Sequence, residues 1–119
     1  MWKEIITGLA VLLATAPCLA GDPVRGERLF SDPSFGNGTS GKTCLTCHEK
    51  GLDLGVDLMG KRNFEIMGVM VANPSEAVNF CIEVALRGEG LDLQSEEMSD
   101  ILSFLEILAL KGGGKKYSP

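Results

Sequence analysis

The chain has 119 residues, enough for one domain, and carries 16 acidic against 11 basic residues for a formal charge of −5. That balance argues against a nucleic acid as partner and leaves a basic docking protein open. There is one histidine, His48, and there are four cysteines, so no metal site here can be built from histidines alone.

The first twenty residues read as an export signal. Lys3 supplies the short basic region, Ile5 to Ala16 the apolar run, and Cys18 and Ala20 the small residues of a cleavage site. Cleavage after Ala20 is expected to release Gly21–Pro119 into the periplasm. The apolar run is short for a membrane span. Cys18 invites a lipoprotein reading, but Thr15-Ala16-Pro17 fits a lipobox poorly. No later stretch is long and apolar enough to cross a membrane. Cleavage removes one base and one acid, so the charge stays at −5, and Cys44, Cys47 and Cys81 remain. The expected domain is 21–111, followed by a flexible tail, 112–119.

Asp22-Pro23 is a helix start, with Asp at the N-cap and Pro at the first helical position. Val24, Leu29 and Phe30 are expected to face inward. Gly26, one turn before Phe30, leaves room for a second helix. Ser31–Thr43, with Pro33, Gly36, Gly38 and Gly41, reads as a loop. It lacks the spacing of a phosphate-binding loop.

Cys44-Leu45-Thr46-Cys47-His48 follows, and its pattern C-x-x-C-H is that of a c-type haem attachment site. Two thiols add across the haem vinyl groups, and the adjoining histidine ligates the iron. A zinc site would need more ligands than one C-x-x-C and one histidine provide. A redox dithiol would want a βαβ context that is absent. A covalent haem also gives a small domain a large apolar body to pack against.

Glu49–Gly60 alternates glycines with Leu52, Leu54, Val56 and Leu58, and reads as turns lining the haem near His48. One backbone carbonyl there is expected to accept the His48 ring N–H. Lys61–Val71 reads as a short helix or turn with Phe64, Ile66, Met67 and Met70 inward. A helix is expected from Ser75 as N-cap to about Arg87, before Gly88. Glu76, Asn79, Glu83 and Arg87 share its polar side, with Glu83–Arg87 as an i, i+4 ion pair. Ala77, Val78, Cys81, Val84 and Ala85 share the apolar side. Ser95 caps the last helix, and Met98, Ile101, Leu102, Leu105 and Leu108 form its apolar stripe.

Gly26, Phe30, C-x-x-C-H and a C-terminal amphipathic helix, in that order, resemble the small monohaem cytochrome c family. The resemblance covers nearly all of Gly21–Leu110. It implies an all-α cytochrome c fold of three to five short helices around one covalent haem c, with the N- and C-terminal helices crossing. The family's usual second axial ligand is a methionine shortly before the last helix. Arg87–Gln94, which occupies that place, has none.

A narrower stretch, Asn79-Phe80-Cys81-Ile82 through Leu86-Arg87-Gly88, then Leu91 and Ser95–Met98, is similar to haem domains of thiosulfate dehydrogenases and related sulfur-oxidising cytochromes. In those a cysteine of this segment is the distal ligand. It also resembles the His/Cys-ligated cytochromes of anammox bacteria, which form heterodimers and bind nitric oxide. The implied set is Cys44 and Cys47 as haem anchors with His48 and Cys81 on the iron. The residues alone also allow Cys81 as a small buried hydrophobe or as half of an intermolecular disulfide. Met67 and Met70 are alternative ligands at spacing that favours core packing. Met59 lies too near His48 to reach the opposite face easily, Met98 reads as core, and Asn73 is a weak candidate.

An anionic thiolate favours Fe(III) and lowers the potential, where a thioether raises it. The resulting expectation is a periplasmic, low-potential electron-transfer protein with a redox partner, gated by release of Cys81. Two alternatives stand beside it. One is a nitric oxide- or carbon monoxide-binding subunit of a heterodimer. The other is the haem subunit of an oxidoreductase for sulfur or nitrogen compounds. Against self-contained catalysis, the chain has no second haem motif and no histidine besides His48.

Overall fold

A computed structural model describes Gly8, residues 21–49, Leu54 and residues 58–112. The expected export signal, most of the turn-rich stretch 49–60 and the tail beyond Gly112 lie outside the described residues. The described chain is mostly helical, with one two-stranded sheet. None of its helices is long and apolar enough to cross a membrane.

The scaffold is a pair of helices, α1 (Pro23–Phe30) and α4 (Glu96–Gly112), packed on each other. Both begin as their sequences dictate. Asp22 Oδ1 accepts the amides of Val24 at 2.9 Å and Arg25 at 3.4 Å, with Pro23 at the first helical position. Ser95 Oγ accepts the Met98 amide at 3.2 Å. Met98, Ile101, Leu105 and Leu108 are buried as the α4 periodicity requires, and Phe30 meets Phe104 edge to face at 5.3 Å. Gly26 is the point of closest approach. A Cβ there would stand 2.7 Å from the Asp100 carbonyl carbon and 2.8 Å from Phe104 Cβ.

Val24 departs from expectation and is 56% exposed. The buried stripe of α1 runs through Gly26 and Phe30, and two residues along a helix is more than half a turn. A second feature is Asp100, only 3% exposed within the apolar stripe of α4. Its carboxylate accepts the Asp22 amide at 2.7 Å and faces Arg25 Nε at 3.3 Å. Arg25 also meets Glu96. A buried carboxylate is tolerated because both its oxygens have partners, and here they fasten the start of α1 to α4.

Residues 64–71 form a hairpin, not the expected helix or inward-facing turn. Strands β1 (Phe64–Ile66) and β2 (Val69–Val71) pair antiparallel, Phe64 opposite Val71 and Ile66 opposite Val69. Met67 (φ 49°) and Gly68 (φ 82°) make the two-residue turn, and successive positive φ values match the right-handed strand twist. Met67 is therefore 81% exposed at the tip and Met70 62% exposed on the outer face, against the expected core positions.

Helix α3 (Pro74–Cys81) starts two residues earlier than expected. Asn73 is the N-cap, its Oδ1 accepting the Glu76 amide at 3.1 Å, and Glu76 Oε2 reaches back to the Ala72 amide at 2.8 Å. Ser75 lies inside the first turn, because Pro74 suits the first helical position. After Cys81 the helix widens into a π turn, Ile82–Leu86, and stops at Arg87 in the left-handed conformation (φ 53°). The wider turn slips the helical phase. Ile82 and Leu86 swing into the core, and Val84, expected inward, is exposed. Glu83 and Arg87 form no ion pair. Asn79, expected on the solvated side, clamps the following loop instead: its side chain donates to Leu91 C=O and accepts Leu91 N–H, both at 2.8 Å.

Candidate functional site

The C-x-x-C-H segment folds as a single helical turn, α2 (Cys44–Cys47). The Thr46 amide donates to Thr43 C=O at 3.0 Å, and Thr46 Oγ1 accepts the Thr43 amide at 2.9 Å. This reciprocal pair starts the turn where four residues alone would not hold one. The His48 amide closes it on Cys44 C=O at 2.9 Å. Cys44 is half-buried against the core, Cys47 is exposed and His48 is half-buried.

Cys81, the last residue of α3, is half-buried too and stands close enough to the turn for the sulfurs to influence one another. Burial, then the Cys81 sulfur, push the Cys44 thiol up to about 11, with a smaller push from Cys47. Burial, then Cys47, push Cys81 up in turn. None of the three is in a disulfide. Cys44, Cys47 and His48 share one turn, and Cys81, 34 residues after Cys47, ends the helix that leads into the π turn.

The link between the two halves was invisible in the sequence. The π turn leaves the carbonyls of its last residues without helical partners, and the loop leading into α2 supplies them. Ser40 Oγ donates to Ala85 C=O at 2.8 Å. The Thr39 and Ser40 amides donate to Leu86 C=O at 2.8 and 3.0 Å. Thr39 Oγ1 donates to Arg87 C=O at 2.9 Å. Two glycines of this loop serve that contact: a Cβ on Gly38 would stand 3.2 Å from Leu86 Cβ, and one on Gly36 would collide with Ile82 Cγ2.

Among the described residues no three His, Cys, Asp or Glu side chains gather closely enough to hold a metal ion between them. Cys44, Leu54, Met59, Val78 and Ala85 pack on the core yet stay half-buried. Cysteine sulfur and imidazole are donors that suit iron.

No protein-family model matches the chain, and neither a curated protein nor a solved structure matches it.

Proposed function

We propose that the chain is a periplasmic monohaem c-type cytochrome, with the cytochrome c fold, that carries electrons at low potential. Cys44 and Cys47 would hold haem c through thioethers, with His48 and Cys81 as axial ligands. The observation that carries this reading is the set of hydrogen bonds that ties the loop leading into the C-x-x-C-H turn to the π turn directly after Cys81, an otherwise unexplained cysteine. The packing of α1 on α4 across Gly26 supports the family resemblance.

Haem, when bound, supplies a one-electron Fe(III)/Fe(II) couple. The chain's own contribution is threefold. The α2 turn presents both thiols and the histidine from one short segment. The half-buried apolar side chains packed on the core would exclude water once a haem covered them. Cys81 would offer its sulfur as a thiolate, its proton released on binding iron, and so favour the oxidised state and lower the potential.

A second reading, the haem subunit of a heterodimer that takes nitric oxide or carbon monoxide, is favoured by one observation. Met67, Val69 and Met70 leave an apolar surface on the hairpin, and such a surface suits a protein partner.

The test is expression of the full chain in a bacterium that assembles c-type cytochromes, followed by a pyridine haemochrome spectrum and intact-mass measurement. The reading expects an exported holo-protein beginning at Gly21 with one haem that survives denaturation. It also expects loss of that haem in Cys44→Ser/Cys47→Ser. Full-length protein without covalent haem overturns it.

A further inference from the structure

The Ser40 hydroxyl is a single atom joining the two halves of the site. It donates to Ala85 C=O at 2.8 Å and accepts the Lys42 amide at 3.2 Å. Lys42 is two residues before Cys44, and Ala85 is four residues after Cys81. The bond to Ala85 is part-buried, whereas that of Thr39 to Arg87 C=O is exposed. Cys81 directly precedes the π turn Ile82–Leu86, to which Ala85 belongs and whose last carbonyls the helix itself does not satisfy.

We propose that Ser40 is a positioning residue: its hydroxyl, bridging the Lys42 amide and the Ala85 carbonyl, sets the separation of Cys81 from the C-x-x-C-H turn and so controls how firmly Cys81 holds as axial ligand. This inference rests on the reading of His48 and Cys81 as the axial pair. The physical reason is local. Without the hydroxyl, Ala85 C=O loses a part-buried partner and the end of the π turn is held only by the backbone bonds to Leu86 and the exposed Thr39 contact. The turn can then relax toward a regular α register, which moves Ala85 relative to the loop and Cys81 with it. Because the two amide bonds to Leu86 C=O remain, Ser40→Ala is expected to fold.

The experiment compares wild type, Ser40→Ala, Ser40→Thr and Cys81→Ala as holo-proteins, using carbon monoxide as the probe in the reduced state. The low-temperature electron paramagnetic resonance of each oxidised protein is recorded alongside. Ser40→Ala should accelerate carbon monoxide uptake about tenfold, the effect expected from one lost part-buried hydrogen bond. Ser40→Thr, which keeps a hydroxyl, should restore the wild-type rate. In the same holo-proteins the Lys42 amide should exchange hydrogen faster in Ser40→Ala than in wild type, a readout independent of the axial ligand.

A thiolate-type signal in wild type that is lost in Cys81→Ala, with identical uptake rates and Lys42 exchange in Ser40→Ala, overturns the proposal and leaves the axial assignment standing. A wild-type spectrum unchanged in Cys81→Ala overturns the axial assignment and the proposal together. If Ser40→Ala does not accumulate, Ser40→Gly, which likewise removes the hydroxyl, is read in its place. An uptake rate equal to wild type then overturns the proposal.

Discussion

Replacing Gly26 by alanine sets two known effects against each other. In an exposed helix this change stabilises by about 1 kcal/mol, because alanine loses less conformational freedom than glycine. Here the new Cβ would lie 2.7 Å from the Asp100 carbonyl carbon and 2.8 Å from Phe104 Cβ. Carbon atoms want about 3.5 Å, so α1 and α4 must part by about 1 Å. The obstacle is helix backbone, which cannot rotate aside as a side-chain tip can. Overpacking of that kind costs about 3 kcal/mol, and parting the helices also strains the Asp22–Asp100 bond. The net loss is about 2 kcal/mol, which lowers the melting temperature of a domain this size by about 8–16 °C. Thermal melts of holo-protein followed by circular dichroism measure it. Gly60→Ala, where nothing lies within 4 Å of the new Cβ, serves as control and should change stability by about 0.5 kcal/mol or less. A Gly26→Ala protein that melts at or above the wild-type temperature would refute the close approach of the two helices.

Three further outcomes follow from particular contacts. Asn79→Ala removes both 2.8 Å bonds to Leu91 and should cost about 2 kcal/mol, seen as about thirtyfold faster hydrogen exchange at the Leu91 amide. Met67→Asn places a residue that tolerates positive φ at the hairpin tip (φ 49°) and should raise stability by about 0.5 kcal/mol, read as a small increase in melting temperature. The haem-free protein should lose stability at alkaline pH through Cys44. Its thiol titrates at about 11 in the fold, against an ordinary 9.0, so the folded state holds the proton longer than the unfolded state does. The contribution is whole below about pH 9 and falls away toward pH 11, by about 2–3 kcal/mol. Urea melts at pH 8 and 11, compared with Cys44→Ser, should show that difference; equal pH dependence in both proteins would contradict it.

The ends of the domain were legible because each carries its own chemistry. Asp22-Pro23 and Ser95 are caps in place, and the α4 stripe is long enough for its period to be unambiguous. Gly26 was legible as a contact point, though Asp100, a charge inside an apolar stripe, gave no sign of tying down α1. The middle of the chain misled for physical reasons. Strands of three residues are too short to display alternation, so Phe64–Val71 looked like a turn of helix, and the left-handed Met67 is a residue that rarely takes that conformation. Ser75 reads as the cap, yet Asn73, two residues earlier, takes that place because Pro74 suits the first helical position.

The site divides in the same way. C-x-x-C-H and the orphan Cys81 could be read from spacing and cysteine arithmetic. The π turn could not, because no residue type marks where a helix takes in one extra residue. Without it Val84 appears to face the core, and the need for Thr39 and Ser40 at the helix end does not arise. Those two residues lie 45 or more positions from the carbonyls they satisfy, in a loop whose serines and threonines look merely solvated.

The most direct test of the account is the low-temperature electron paramagnetic resonance spectrum of the oxidised holo-protein beside that of Cys81→Ala. The account predicts a low-spin, thiolate-type signal that disappears in the variant. An identical low-spin signal in both proteins would remove Cys81 from the iron and contradict the central claim.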